Sequence, residues 1–190
     1  MDIRITNTCN NNCLYCLEQS LRKREKFISK EKIFYLLDAH HDRKVLSFYW
    51  WNPLLHPELE DIIFYAKQIW YESVSLLTNS LSLTSSWVKH LQDVWLSSIS
   101  LYFNSFHEQV HHKIVNGGIW LRELVHNIAL LSSNKILSKI IIHVNALNIR
   151  YLARDILILY KKFWVQNFDF INYFPFDRPY EKYNWLLEYD

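Results

Sequence analysis

The run Thr8-Cys9-Asn10-Asn11-Asn12-Cys13-Leu14-Tyr15-Cys16 contains every cysteine of the 190-residue chain. A disulfide framework spreads an even number of cysteines along a secreted chain. Three thiols packed into eight residues read instead as metal ligands. A structural zinc wants four closed ligands, usually as two spaced pairs. No second pair exists here, so a histidine would have to complete a Cys3His set. A four-iron cube wants one ligand per iron. Three thiolates then leave one iron open to a substrate or cofactor, which makes the site chemical rather than structural. A redox dithiol, or thiols without a ligand, is the remaining option. The cluster with an open iron is the leading reading of this donor set.

Outward from that loop the chain alternates between two kinds of segment. Short β-rich runs are Asp2–Thr6, Val45–Tyr49, Ser73–Leu77, Ser98–Tyr102, Lys139–Val144 and Asn167–Ile171. Between them, apolar residues recur at helical spacing. Ile33, Leu36 and Leu37 mark one helix; Leu59, Ile62, Ile63 and Ala66 a second; Val88, Leu91 and Val94 a third. Leu121, Leu124, Val125, Ile128 and Leu131 mark another, and Ile149, Leu152, Ile156, Leu159, Tyr160 and Phe163 the last. Strand–helix alternation with short connections predicts parallel strands joined by right-handed crossovers. Six of them make an open α/β architecture, a partial (β/α)6 TIM-like barrel rather than a closed eight-stranded one. We expect one domain over residues 1–178 and a C-terminal tail over 179–190. In such folds the chemistry gathers at the carboxyl ends of the strands, where the cysteine loop follows the first.

Composition narrows the function classes. Half the residues are apolar and 21% are charged, which excludes wholesale disorder. The net charge of +2 offers no strong field toward a polyanion, so a nucleic-acid partner is not expected. The longest apolar runs, such as Ile62–Ala66 and Ile156–Tyr160, are far too short to span a bilayer. The opening Met-Asp-Ile-Arg-Ile-Thr has no apolar core like that of a signal peptide, so a cytoplasmic location is expected.

The C-x3-C-x2-C spacing, following the strand-like Ile3-Arg4-Ile5-Thr6 and carrying Tyr15 just before the last cysteine, resembles the radical SAM superfamily. The likeness extends over roughly residues 3–176. After the second strand, Trp50-Trp51-Asn52-Pro53-Leu54-Leu55-His56-Pro57 is similar to the family's Gly-Gly-Glu-Pro with its following Leu-His-Pro. It departs at both glycines and at the glutamate, here Asn52, whose amide lacks charge assistance. Leu77-Thr78-Asn79-Ser80 resembles the family's Thr-Asn-Gly, and Ser98–Tyr102 its fourth strand. The resemblance implies a radical SAM core in which Cys9, Cys13 and Cys16 hold a [4Fe–4S] cluster. It implies cofactor contacts from Tyr15, Trp50, Trp51, Asn52, Pro53, Asn79, Ser100 and Asn145. Plain turn formation is the competing role for the polar ones, and a structural turn is the expected role of His56.

The implied activity is reductive cleavage of S-adenosylmethionine to a 5′-deoxyadenosyl radical, which abstracts hydrogen from a substrate that the sequence leaves unidentified. A low-potential electron donor of flavodoxin or ferredoxin type is the implied partner. The basic run Arg22-Lys23-Arg24-Glu25-Lys26 is a candidate dock for it, although such runs are usually solvated faces. The alternative is a degenerate family member, a non-catalytic iron–sulfur or zinc-binding interaction module. The pairs His40-His41 and His111-His112 read as exposed helix ends or loops. The chain ends soon after the sixth strand, which leaves two expectations: a truncated chain, or an open side closed by substrate or partner.

One feature of composition conflicts with this fold. Glycine occurs twice, where about 7% is usual, and tryptophan eight times. Trp50 and Trp51 occupy the glycine pair of the family motif. Trp70, Trp95 and Trp164 each precede a predicted strand, where a helix C-cap glycine belongs. An indole at a position wanting left-handed backbone is unfavourable. These five tryptophans therefore read as glycines whose codon, a reassigned stop, has been translated with the wrong code. The competing reading keeps them as genuine packed aromatics.

Overall fold

A computed structural model describes residues 1–16 and 27–172. The basic run 22–26, the segment 174–176 after the last strand and the tail 179–190 lie outside the described residues.

The described strands are β1 (Asp2–Ile3), β2 (Val45–Phe48), β3 (Ser73–Thr78), β4 (Ser98–Phe103), β5 (Leu137–Val144) and β6 (Phe168–Asn172). They form one sheet in the order β1-β2-β3-β4-β5-β6, and every neighbouring pair is parallel. A strand order that follows the chain without reversal is that of a (β/α) barrel, not of a doubly wound sheet. β1 and β6 are the edges of the described sheet, so the barrel is open.

The helices are α1 (Lys30–Ala39), α2 (Leu59–Gln68), α3 (Ser85–Asp93), α4 (Glu108–Val115), α5 (Leu121–Ser133) and α6 (Leu152–Phe163). Ser29 and Thr84 cap α1 and α3 by accepting from the backbone N–H of Lys32 and Trp87. α4 is a helix that the apolar periodicity does not announce. Within it His111 is fully buried, which corrects the expectation of an exposed helix end. His40, the C-cap of α1, is exposed as expected.

The two-residue period of the strands separates two environments. Leu46, Phe48, Val74, Leu76, Ile99, Leu101, Ile140 and Ile142 point into the core, where Ile62, Ile63, Leu91, Ile128 and Leu159 come in from the helices. The alternate residues Leu77, Tyr102, Ile141 and His143 line a cavity on the other face.

Four of the helices end alike. The backbone turns left-handed at Trp70 (φ 76°), Trp95 (φ 63°), Lys135 (φ 57°) and Trp164 (φ 57°). The next residue then donates back into the last helical turn: Tyr71 to Ala66 O, Leu96 to Leu91 O, Ile136 to Leu131 O and Val165 to Leu159 O. That next residue is a buried apolar one each time, at 1%, 5%, 3% and 5% exposure. This is the closure that helices commonly make with glycine at the turning position. Three of the four such positions here carry tryptophan. Trp50 (φ 68°) and Trp51 (φ 58°) are also left-handed. Left-handed backbone costs an L residue about 1–2 kcal/mol. Five such indoles together cost about 5–10 kcal/mol, which is comparable to the roughly 5–15 kcal/mol that holds a domain folded.

Candidate cofactor site

The cavity, of about 380 Å³, lies on the concave face of the sheet at the carboxyl ends of its strands. Its wall includes Tyr49 just after β2, Leu77 and Asn79 at the end of β3, Tyr102 and Asn104 at the end of β4, and His143 from β5. The loop after β1 contributes Cys9, Cys13 and Cys16, so all three thiols open onto one space. Cys13 is buried and the other two are half-buried.

The cysteines lie outside every described strand, so the backbone groups around them need partners elsewhere. The carboxyl end of α4 supplies them. Leu14 N–H donates to Ile114 O at 2.9 Å and Asn12 N–H to Val115 O at 3.3 Å. Those carbonyls lie in the last turn of α4, where no intrahelical partner exists. From the other side, Ile119 N–H donates to Asn11 Oδ1 at 2.9 Å. Gly118 permits this approach, because a Cβ there would overlap the Asn11 side chain. Two further backbone bonds shape the loop: Asn11 N–H to Cys9 Sγ at 3.5 Å and Cys16 N–H to Cys13 O at 3.1 Å.

A second set of contacts joins the loop to the ends of β2 and β3. Asn52 N–H donates to Thr8 O at 3.1 Å. The Asn52 side chain is fully buried; its Nδ2 donates to Asn10 Oδ1 (3.0 Å) and Asn79 Oδ1 (3.1 Å), and its Oδ1 accepts from Thr78 Oγ1 (2.7 Å). Asn79 Nδ2 donates to Asn10 Oδ1 at 2.9 Å and to Cys9 Sγ at 3.7 Å. These amides therefore hold the cysteine loop.

Of the residues singled out in the sequence, Tyr15, Trp50, Trp51 and Asn79 line the cavity together with the three cysteines. Asn52, Pro53, Ser100 and Asn145 are not among its lining residues. Pro53 opens a short 3₁₀ turn (Pro53–Leu55). Ser100 lies on the same strand face as Tyr102 but deeper, against Ser138 Oγ at 2.9 Å. Asn145 turns its amide back onto His143 O and Leu147 N–H. His56 is the turn histidine expected: Nδ1 accepts from Glu58 N–H and Nε2 donates to Ile28 O.

Apart from Tyr15, the sequence did not single out the aromatic wall. Tyr15 stacks on His143 with ring centroids 4.1 Å apart, and Tyr102 lies against the same imidazole at 5.5 Å. Burial lowers the His143 pKa to about 4, so the ring is neutral at pH 7. Burial, followed by the charge of Cys13, raises the phenols of Tyr15 and Tyr102 well above the usual tyrosine range, keeping both protonated. His111 also lines the cavity; its Nε2 engages Ile119 O at 2.8 Å, and burial lowers its pKa. The usable signal for Tyr102 and His143 was the strand period, which points alternate residues of β4 and β5 to one face.

The donor set fits an iron–sulfur cluster with a polar ligand beside it. Three thiols share one cavity, and two further lining residues carry buried polar atoms without a protein partner: Asn104 Oδ1 and His111 Nδ1. Buried polar groups otherwise find partners. Among the described residues, no three of His, Cys, Asp and Glu gather as ligands of a single metal ion. No described helix is long and apolar enough to cross a membrane.

Comparison with known proteins agrees with this geometry. A family model described as the radical SAM superfamily matches residues 3–152. A probable GTP 3′,8-cyclase of Methanococcus maripaludis is 26% identical over 119 residues, covering 61% of this chain and 40% of the relative. Among solved structures, native anSMEcpe with bound AdoMet and Kp18Cys peptide superposes with a TM-score of 0.78 at 20% identity, over 98% of this chain and 55% of that one. HydG, a maturase of the [FeFe]-hydrogenase, gives 0.77 at 16% identity, over 98% and 45%. Streptococcus suis SuiB bound to S-adenosylmethionine gives 0.73 at 12% identity, over 94% and 40%. At these identities the structural likeness establishes a common fold. The chain spans 40% of the cyclase and 55% of anSMEcpe.

Proposed function

The chain belongs to the radical SAM superfamily, and from that premise we propose that it is the core of an enzyme in which Cys9, Cys13 and Cys16 ligate a [4Fe–4S] cluster and S-adenosylmethionine binds beside it. The observation that carries this reading is the opening of all three thiols onto one cavity at the carboxyl ends of the parallel strands. When bound, the cluster supplies one electron that splits S-adenosylmethionine into methionine and a 5′-deoxyadenosyl radical, which takes hydrogen from substrate.

The protein's own groups bind, orient and exclude water. The α4 carbonyls and the Asn10–Asn52–Asn79 amides hold the cysteine loop in place. Tyr15, His143 and Tyr102 supply an uncharged aromatic wall. Such a wall suits the flat face of a nucleobase and keeps water from a reactive radical. A flavodoxin- or ferredoxin-like donor is the proposed source of electrons, and the substrate is a further ligand of the same cavity.

Anaerobic reconstitution tests the reading. The expected result is iron bound in about the four-per-chain stoichiometry of a cube, together with release of 5′-deoxyadenosine on reduction. Bound zinc, with no iron-dependent absorbance, overturns it.

A second reading has a specific observation behind it. The indoles of Trp50 and Trp51 stand in the cavity wall where the family motif has glycines. Trp50 is held there by the Arg4 guanidinium at 5.0 Å from its ring and by Tyr49. A chain with indoles there would hold the cluster and fail to turn over. Iron uptake without 5′-deoxyadenosine is its signature.

A further inference from the structure

The five tryptophans that stand in glycine positions of the sequence all have left-handed backbone: Trp50, Trp51, Trp70, Trp95 and Trp164. Trp87, in the body of α3, and Trp120, with φ −69°, have ordinary backbone. Trp87 also packs against the core. The division therefore follows backbone conformation, not burial or neighbourhood.

Side-chain packing does not account for three of the strained five. Trp70 and Trp164 are each 80% exposed and Trp95 is 52% exposed. An indole is a large apolar group whose usual benefit is burial, and here most of that surface is left in water. Among the non-glycine residues at positive φ, the others are serine, asparagine and lysine. None is aromatic. Asparagine tolerates this conformation through its short polar side chain, and tryptophan has no such device. At the cavity, Trp51 leaves a buried Nε1 donor without a partner. A glycine carries no such group.

We propose that the polypeptide made in its native cell carries glycine at positions 50, 51, 70, 95 and 164, each inserted at a UGA codon that this cell assigns to glycine. The substitution raises the glycine count from the two of the present sequence to seven. It gives three helices the C-terminal residue their closures call for. It also leaves bare backbone at 50 and 51 beside the cysteine loop, where Asn52 N–H meets Thr8 O. The cavity wall then loses both indoles, which removes the observation favouring a cluster-holding, non-catalytic protein.

Two measurements decide the matter independently of any cluster chemistry. The gene is read at the codons of the five positions and of Trp87. Peptides of the protein isolated from its own cells are then sequenced by tandem mass spectrometry. We expect UGA and glycine at all five positions, with UGG and tryptophan at 87. A UGG codon, or a peptide carrying tryptophan, at any of the five overturns the proposal. Failure of iron uptake by the glycine-bearing chain would count against the proposed function and leave the codon assignment standing.

Discussion

Asn79 donates its side-chain amide to Cys9 Sγ across 3.7 Å, joining the end of β3 to the first residue of the cysteine triplet. The same nitrogen reaches Asn10 Oδ1, and Asn52 braces both. A donor aimed at a ligating sulfur stabilises the more electron-rich, reduced cluster. Asn79→Leu is expected to lower the reduction potential. Loss of about 1 kcal/mol of hydrogen bonding is about 40 mV for a one-electron couple. Potentiometric titration followed by electron paramagnetic resonance measures it, and an unchanged potential would sink the assignment.

The two glycines of the sequence should behave differently. Gly117 has φ +86° with open space where a Cβ would stand, so Gly117→Ala introduces backbone strain alone, about 1–2 kcal/mol. Gly118→Ala drives a methyl into Asn11, which also holds Ile119 N–H and shapes the cysteine loop. Overpacking of this kind costs about 1–3 kcal/mol. It should also lower iron loading, which Gly117→Ala should leave unchanged. Denaturant titration and iron analysis of both variants separate the two effects.

In the tryptophan-bearing chain, Trp70→Gly and Trp164→Gly should each raise stability by about 1 kcal/mol, since the relieved backbone strain outweighs the little packing that these exposed rings provide. Trp95→Gly should gain less, because its ring stacks on Phe64 at 5.6 Å. Trp87→Gly should destabilise, by about 1 kcal/mol of helix propensity and by the packing it removes. Urea midpoints of the four variants give the order directly. A loss of stability at 70 and 164 would contradict the strain described above.

Acid should destabilise the cluster-free protein through two histidines. Burial lowers the pKa of His143, to about 4, and that of His111. The unfolded chain protonates both near pH 6.5. A folded pKa below the unfolded one means the unfolded state binds more protons at intermediate pH. The contribution of each ring is therefore present in full above about pH 6.5. For His143 it is lost progressively as pH falls from there toward about 4. His143→Phe should flatten this slope; equal slopes for the two proteins between those limits would exclude His143 as its source.

Much of the fold was legible because it depends on local periodicity. All six strands were located to within a few residues, since each alternates or runs apolar between clear helical patterns. α4 escaped because its eight residues, Glu108–Val115, mix three polar types with two histidines and show little apolar repeat. Its buried His111 is decided by what packs over it. Of the candidate site, Cys9, Cys13 and Cys16 were readable from their spacing, and Tyr15 and Asn79 from the resemblance to the family's motifs; all line the cavity. Asn145, just past the end of β5, and Ser100, within β4, lie off its wall, because a place on the right strand does not say how deep a side chain reaches.

Local pattern marks the alternation of elements, the clustered thiols and the five positions where an indole meets a backbone suited to glycine. All three are properties of neighbouring residues, governed by short-range sterics and spacing. It takes the folded arrangement to rest Tyr15 on His143, to bring Asn79 to Cys9, and to let Ile119 hold Asn11 from 108 residues away. Those contacts depend on how parallel strands register and how α4 meets the cysteine loop, and no local pattern in the chain encodes them.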